Sequence, residues 1–260
     1  MIDFMMSKAG VIGVAFVFIF GLERLYPMVA VRHSLAQLGR NFSLAGLNVV
    51  LGPLVVLPLS AFAAHHGLGL RPGWWNIALD LLVLDLWIYA WHRLNHVIPF
   101  LWRFHEVHHL DEALDSSTGL RFHFGEVALS ACVRALLVWL LSVPIASVLI
   151  FETLIVVAAL FQHSNMKLPE MFEQWLSFII VTPSIHWVHH HALRRDTDSN
   201  YATMLSLWDL VFGSRSASAR TLDMDMGVEG LSDVGLLGLV ARPFGRAKVN
   251  VHGTKAATRL

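Results

Sequence analysis

Four stretches of this chain are apolar over lengths near or beyond the about 20 residues that a helix needs to cross a bilayer. They are residues 9–20 (extendable to 29), 44–64, 74–91 and 127–161. The last is too long for one crossing, and Ser142-Val143-Pro144 supplies a turn that divides it into a hairpin of two short helices. Hydrophobic residues make up 55% of the 260, and charged residues only 15%, against about 25% in a typical soluble domain. A soluble fold of this size cannot hide that much apolar surface. The expected fold class is therefore all-α: an integral membrane helical bundle of four to five spans. The first run does not read as a signal peptide, because its basic leader is thin and no small-residue cleavage site closes it promptly.

Charge places the rest. Lys+Arg and Asp+Glu are both 19, a net charge of zero, which argues against nucleic acid as a partner. Arg134 and Glu152 lie inside the hairpin, each nine residues from Val143; isolated charges there are costly, so they should pair or face a polar interior, unless one reaches to an interface. Arginines concentrate in 23–42, 93–125 and after 163, while Lys8 and Arg71 lie on the other side. The positive-inside bias puts 93–125 and 163–260 together on the cytoplasmic face. Residues 1–215 read as one membrane-embedded catalytic domain. Residues 216–260 read as a tail with a short surface helix in 231–244 and a disordered end after Arg246.

The remaining chemistry is in histidine. There are 15, against one cysteine, Cys132, which excludes disulfides, Cys-ligated zinc and iron–sulfur clusters. The third apolar run ends in His92-x-x-x-His96. His105-Glu106-Val107-His108-His109 follows, and His186-Trp187-Val188-His189-His190 repeats the same spacing far downstream. On a helix, i, i+3 and i+4 share a face, so each box aims two or three imidazoles in one direction. By composition alone an H-x-x-H-H box is expected about 0.05 times in this chain; it occurs twice.

His163, which closes the hairpin's return helix on the same face, makes a ninth candidate, and His123 a possible addition. A structural zinc takes four ligands, so eight or nine imidazoles imply two metal ions. Neutral imidazole suits iron, zinc, copper or nickel, and ligand type alone does not choose among them. His33, His65, His66 and His252 have no box context, and His191 at i+5 points elsewhere.

These segments, in order HRLNH, LWRFHEVHH, FQHSN, PSIHWVHH and NYATMLSLWDLVFG, resemble the fatty acid hydroxylase superfamily, also called the sterol desaturase family, over roughly residues 80–213. The resemblance implies a membrane-bound, histidine-box di-iron oxygenase. Such an enzyme uses dioxygen and two electrons to hydroxylate or desaturate a lipid C–H bond. It also implies that His92, His96, His105, His108, His109, His163, His186, His189 and His190 hold two iron ions, with zinc as a possible substitute. Phe124 stands where the family often has Pro after its Arg-x-His, which weakens His123 as a ligand, and Ala202 replaces the usual Gly after Asn-Tyr.

Ligating histidines normally donate their second N–H to a carboxylate or carbonyl. Asp85, Asn165, Asn200 and Asp209 are the candidates for that supporting role, with a turn or cap as the alternative for Asn200. No dinucleotide, flavin or iron–sulfur motif is present, so electrons are expected from a separate cytochrome or ferredoxin-type protein, docking near Arg194, Arg195 and Arg215. Trp74, Trp75, Trp91, Trp102 and Trp187 are candidates for an interfacial belt.

Two rivals follow from the same residues. His105-Glu106-x-x-His109 also reads as H-E-x-x-H, the motif of a zinc hydrolase or intramembrane protease with Glu106 as general base. Against it, Trp187 stands where the third box would need that glutamate, and one zinc leaves most of the aligned histidines unused. A metal transporter would place its ligands near the bilayer midplane, whereas these boxes gather at one face.

Overall fold

The computed structural model describes residues 2–30, 34–71 and 75–245, with side chains from residue 7 onward. Among them there is no β-sheet, only isolated bridges such as Ile180 with Leu205. The regular structure among them is all helical, as expected.

α1 (Ile2–Leu25) is followed by α2 (Leu35–Leu51), which is capped by the Ser34 hydroxyl. α2 runs through a π-helical segment, Gly52–Val56, into α3 (Leu57–His65). Pro53 lies in that segment; having no N–H and clashing with the preceding turn, it widens the helix locally without ending it. α4 (Ile77–Val97) starts at an Asn76 cap, and Pro99 opens α5 (Pro99–His109). A 3-10 turn, Ser116–Leu120, leads to α6 (Phe124–Leu141) and α7 (Ile145–Gln162). The expected turn lies between them, with Ser142 in the left-handed region at φ 52°. Short helices complete the chain: α8 (Glu170–Leu176), α9 (Pro183–His189), α10 (Arg194–Thr197), α11 (Leu207–Val211) and α12 (Leu236–Ala241).

Among the described residues, three stretches are long and apolar enough to cross a membrane: Leu35–His65, α6 and α7. α1 and α4 are 24 and 21 residues long but carry more charge. α3 packs on α6, and α7 is flanked by α1 and α4, around an apolar cluster of Leu84, Val138, Val148 and Phe151. Gly119 lets the 3-10 turn lie against α7, since a Cβ there would stand 2.6 Å from the Ala159 carbonyl.

Arg134 and Glu152 do pair, at 2.5 Å. Lys8 joins them, 2.7 Å from the other carboxylate oxygen, so one carboxylate ties α1, α6 and α7 together. The helix expected in 231–244 is α12, and it is not peripheral. Leu239 is buried against Leu44, Val107 and Leu110, Asp233 receives both Arg40 and the fully buried Arg121, and Arg242 pairs with Glu106. The end expected to be disordered, with Trp74, His33 and His252, lies outside the described residues. Trp91 and Trp187 are buried within the protein rather than at its rim.

Removing Glu152 would strand two cations in an apolar setting, a change that typically costs on the order of 3 kcal/mol. Glu152→Gln should therefore lower the unfolding midpoint in detergent by more than Arg134→Gln, which leaves the Lys8 pair intact. Denaturant titration followed by circular dichroism checks this.

Candidate metal centre

Four separate elements deliver imidazoles to one place. α4 ends in His92 and His96, and α5 ends in His105, His108 and His109. His163 is the C-cap of α7, and α9 supplies His186 and His189, with His190 at its C-cap. All nine are buried. They fall into two sets whose nearest ligand atoms lie within 4.8 Å of one another: His92, His96, His105, His109 and His189 in one, and His108, His163, His186 and His190 in the other. The adjacent residues of the second and third boxes divide between the sets, so the sets are neighbours. His109 stacks on His190 with ring centroids 4.3 Å apart.

The tautomers follow from the partners. A carbonyl or carboxylate can only accept, so Nδ1–H donates from His92 to the Tyr201 carbonyl (2.8 Å), from His189 to Ser199 (2.6 Å), from His163 to Ala159 (2.6 Å), from His108 to Arg121 (3.2 Å) and from His105 to the Glu126 carboxylate (2.8 Å). A neutral ring has one N–H, so Nε2 in each is a bare lone pair. Yet His92 Nε2 faces those of His105 and His189 at 3.1 and 3.0 Å, and His163 Nε2 faces that of His108 at 3.0 Å. Bare lone pairs do not hydrogen-bond to one another. They can share a cation, and the donor set fits a metal in each group. His186 and His190 also approach His163, at 2.9 and 3.1 Å, and both nitrogens of His96 and of His109 lack a hydrogen bond.

Burial, reinforced by the neighbouring imidazoles, holds His108, His109, His186 and His190 well below the usual histidine pKa. Burial likewise pushes His163 down to about 4 and His189 to about 3. All are neutral at physiological pH, which is the state that binds metal.

The other sequence candidates are placed differently. His123 joins neither set: its Nδ1 accepts from Gly125 N and its Nε2–H donates to the Val240 carbonyl. His191 donates to Asp196 at 2.7 Å, and His65 and His66 lie together at the end of α3. Asp85 touches no histidine; it accepts from Leu205 N and Trp208 Nε1. Asp209 accepts from the amides of Tyr201 and Ala202, so it holds the peptide whose carbonyl receives His92. Asn200 is in the left-handed region and bonds the Ile185 carbonyl and Ser216 N. Asn165 bonds both main-chain groups of Val29. Glu106 is engaged by Arg242 at 2.6 Å and enters neither group.

The support that sequence reasoning missed is Glu126, in the first turn of α6, which accepts from both His105 and Asn95. Nothing marked it except its place three residues after His123. Arg121 was also missed; its side chain grips the Val107 carbonyl while its own carbonyl receives His108.

Comparison with known proteins agrees in extent with this site. The fatty acid hydroxylase family model matches residues 77–214. The chain is 28% identical to ornithine lipid hydroxylase OlsE of Rhizobium tropici over 211 residues, covering 81% of this chain and 61% of that protein. It is 30% identical to alkylglycerol monooxygenase of Homo sapiens over 55% of this chain and 31% of that one. It is also 30% identical to a cholesterol 25-hydroxylase-like protein of Danio rerio over 64% and 66% respectively. The chain thus spans less than two thirds of the first two relatives. No solved structure matches it.

Two outcomes are expected. Because folded pKa values lie below the unfolded value of about 6.5, the unfolded state binds more protons in acid. The stability that neutral imidazoles contribute is therefore complete above pH 6.5 and is lost as pH falls toward about 4 and 3, where His163 and His189 titrate. Chelator-treated protein should show its thermal midpoint falling steadily across that window. Separately, Glu126→Ala should weaken metal binding in the five-histidine set by about 10–100-fold while sparing the other set. Competition with a chromogenic chelator reads this.

Proposed function

This chain belongs to the fatty acid hydroxylase family, and on that premise we propose that it is a multi-pass membrane enzyme that hydroxylates a C–H bond of a lipid at a di-iron centre, with O2 as co-substrate. The observation that carries the reading is the meeting of nine buried imidazoles in sets of five and four, with bare nitrogens turned on each other. Nine imidazoles exceed the four that one structural zinc takes, and two sets of neutral imidazoles suit a pair of iron ions.

In this role His92, His96, His105, His109 and His189 hold one ion, and His108, His163, His186 and His190 the other. Iron so held supplies activation of dioxygen, the hard chemistry that no side chain can perform on an unactivated carbon. The protein's part is to fix and dry the site. Glu126 and four main-chain carbonyls set the ring orientations. Phe122 stacks on His108 at 4.4 Å, and Trp102 lies 5.0 Å from His96. Asp209 positions His92 through the Tyr201 peptide, and Asp85 anchors the segment that follows.

The relatives are named for three dissimilar lipids, which supports a bilayer lipid as the substrate class here, and their names favour hydroxylation over desaturation. The histidine end of the spans is assigned to the cytoplasmic face by the arginine bias. An external electron-donor protein, of cytochrome or ferredoxin type, would meet the molecule there. Arg194 donates to the His96 carbonyl and covers Trp102 at 4.5 Å, and Arg195 is exposed beside it. Arg215, by contrast, is half-buried near Asp209. The catalytic unit is residues 1–215, with the tail beyond it braced onto Arg121 through Asp233 and onto α5 through Arg242.

Lipid extracts of cells expressing the protein under 18O2 should contain a hydroxylated lipid carrying one labelled oxygen, absent for His109→Ala. Purified protein should hold two irons per chain and His163→Ala one. Glu106→Gln should stay active, since its carboxylate serves Arg242. One tightly held zinc with no labelled lipid, or loss of all activity in Glu106→Gln, would overturn the reading in favour of a hydrolase.

A further inference from the structure

We propose that residues 200–213, together with the end of α8, form a re-entrant segment sunk in the lipid leaflet beside α4, so that part of the cap around the metal centre is immersed rather than exposed to water. The proposal rests on the reading that α6 and α7 span the membrane.

Depth comes from register. α4 and α7 lie side by side and run in the same direction. Near their starts the Ser147 hydroxyl donates to Asp80 at 2.6 Å, and near their ends His92 and His163 both approach His186. Asp85 is thereby level with about the middle of α7, roughly 10–15 Å short of its end at 1.5 Å per residue. Asp85 holds Leu205 N at 3.2 Å and Trp208 Nε1 at 2.8 Å. Met204 packs into the apolar cluster of Leu84, Val138, Val148 and Phe151, and Phe212 stacks on Tyr89 at 5.1 Å. The segment leaves the histidine level at Tyr201, descends alongside α4 and returns.

Its outward surface matches that depth. Leu207, Leu210 and Val211 are 42, 54 and 60% exposed. The bridge from Leu205 to Ile180 joins them to Trp175, Phe178 and Ile179, which are 63–71% exposed. On α8 the polarity is inverted relative to a helix on a water-soluble core. Glu173 faces inward to Arg220 and Ser184 N, while the large apolar side chains face out.

Irregular backbone survives at membrane depth only when its polar groups are answered within the protein, and five of this segment's are answered by named partners. Asp209 takes the amides of Tyr201 and Ala202, Asp85 takes that of Leu205, the Ile179 carbonyl takes that of Ser206, and the Met204 carbonyl receives Val181 N. Two buried carboxylates spent on main-chain amides suit a solvent that supplies no water.

The test uses the full chain in phosphatidylcholine vesicles with an environment-sensitive fluorophore on a single cysteine. Native Cys132, exposed on α6, reports the span. Leu207→Cys and Leu210→Cys, made in Cys132→Ser, report the segment, and Asp223→Cys reports the aqueous surface. Labels at 207 and 210 should emit to the blue of the label at 223, lose emission to lipids bearing a nitroxide on the acyl chain, and resist aqueous iodide. Quenching of 207 and 210 by iodide to the same degree as 223 overturns the proposal, as does protection from both quenchers, which would mean a protein covers the patch. If Cys132 also escapes the lipid nitroxide, the spanning reading fails; if Cys132 is quenched by lipid and 207 and 210 are not, only the re-entrant segment fails.

Discussion

Lone pairs held 3 Å apart in a buried place repel, and the fold of this chain is organised around holding several of them there. Five of the nine rings have their other nitrogen committed to a fixed acceptor, and four of those acceptors are main-chain carbonyls: Ala159, Arg121, Ser199 and Tyr201. The rings cannot turn away without breaking the backbone conformation behind them. The repulsion is relieved by cations, so the free energy of metal binding is in part the free energy of folding the cap. Helices from distant parts of the sequence meet at this place, so the metal ties together elements that the chain order keeps apart.

Around the histidines lies a layer of buried polar networks joining spans to cap. Gln37 and Asn41 of α2 reach Asp111 and Ser117. Glu23 of α1 accepts from Ser116 and Asn165. Arg121 collects Val107, Asn41 and Asp233. Buried ion pairs of this kind add little net stability over an apolar core of the same volume, but removing one partner is costly. They therefore set which face of each span meets the cap. That is the requirement here, because α4, α5 and α7 must present particular faces for their imidazoles to meet.

The sequence made the helical class, the hairpin turn and the nine histidines legible because each has a short-range signal: apolar length, a Ser-Val-Pro break, and recurrence at i, i+3 and i+4. The division into five and four was not legible. Neighbours such as His108 and His109 go to different sets, and which set a ring joins depends on the crossing of α5 with α7 and α9. Supporting groups were the hardest to read. Asp85 shares a helix face with His92 and His96 but lies about two turns away, which points to a ligand on a neighbouring helix, yet its carboxylate answers Leu205 and Trp208 some 120 residues away. Glu126 does back a ligand and carried no local mark. Arg134 and Glu152 were legible as a pair from equal distance to the turn; Lys8, on a separate helix, was not.

The Tyr201 peptide shows how these requirements are reconciled. Its N–H is held by Asp209 and its carbonyl receives His92, while its ring lies 5.2 Å from that of His96 and about as close to no other ligand. Four residues on, Leu205 N is held by Asp85 of the same helix that carries His92 and His96. The segment after the third box is therefore pinned to α4 at two levels seven residues apart, once through a ligand and once through a carboxylate. Asp209 answers a main-chain amide at the level of the histidines and Asp85 one deeper along α4. The two acids satisfy backbone that would otherwise seek water, and in doing so they fix the carbonyl that orients a ligand, so the solvation of this segment and the geometry of the metal centre are set by the same bonds.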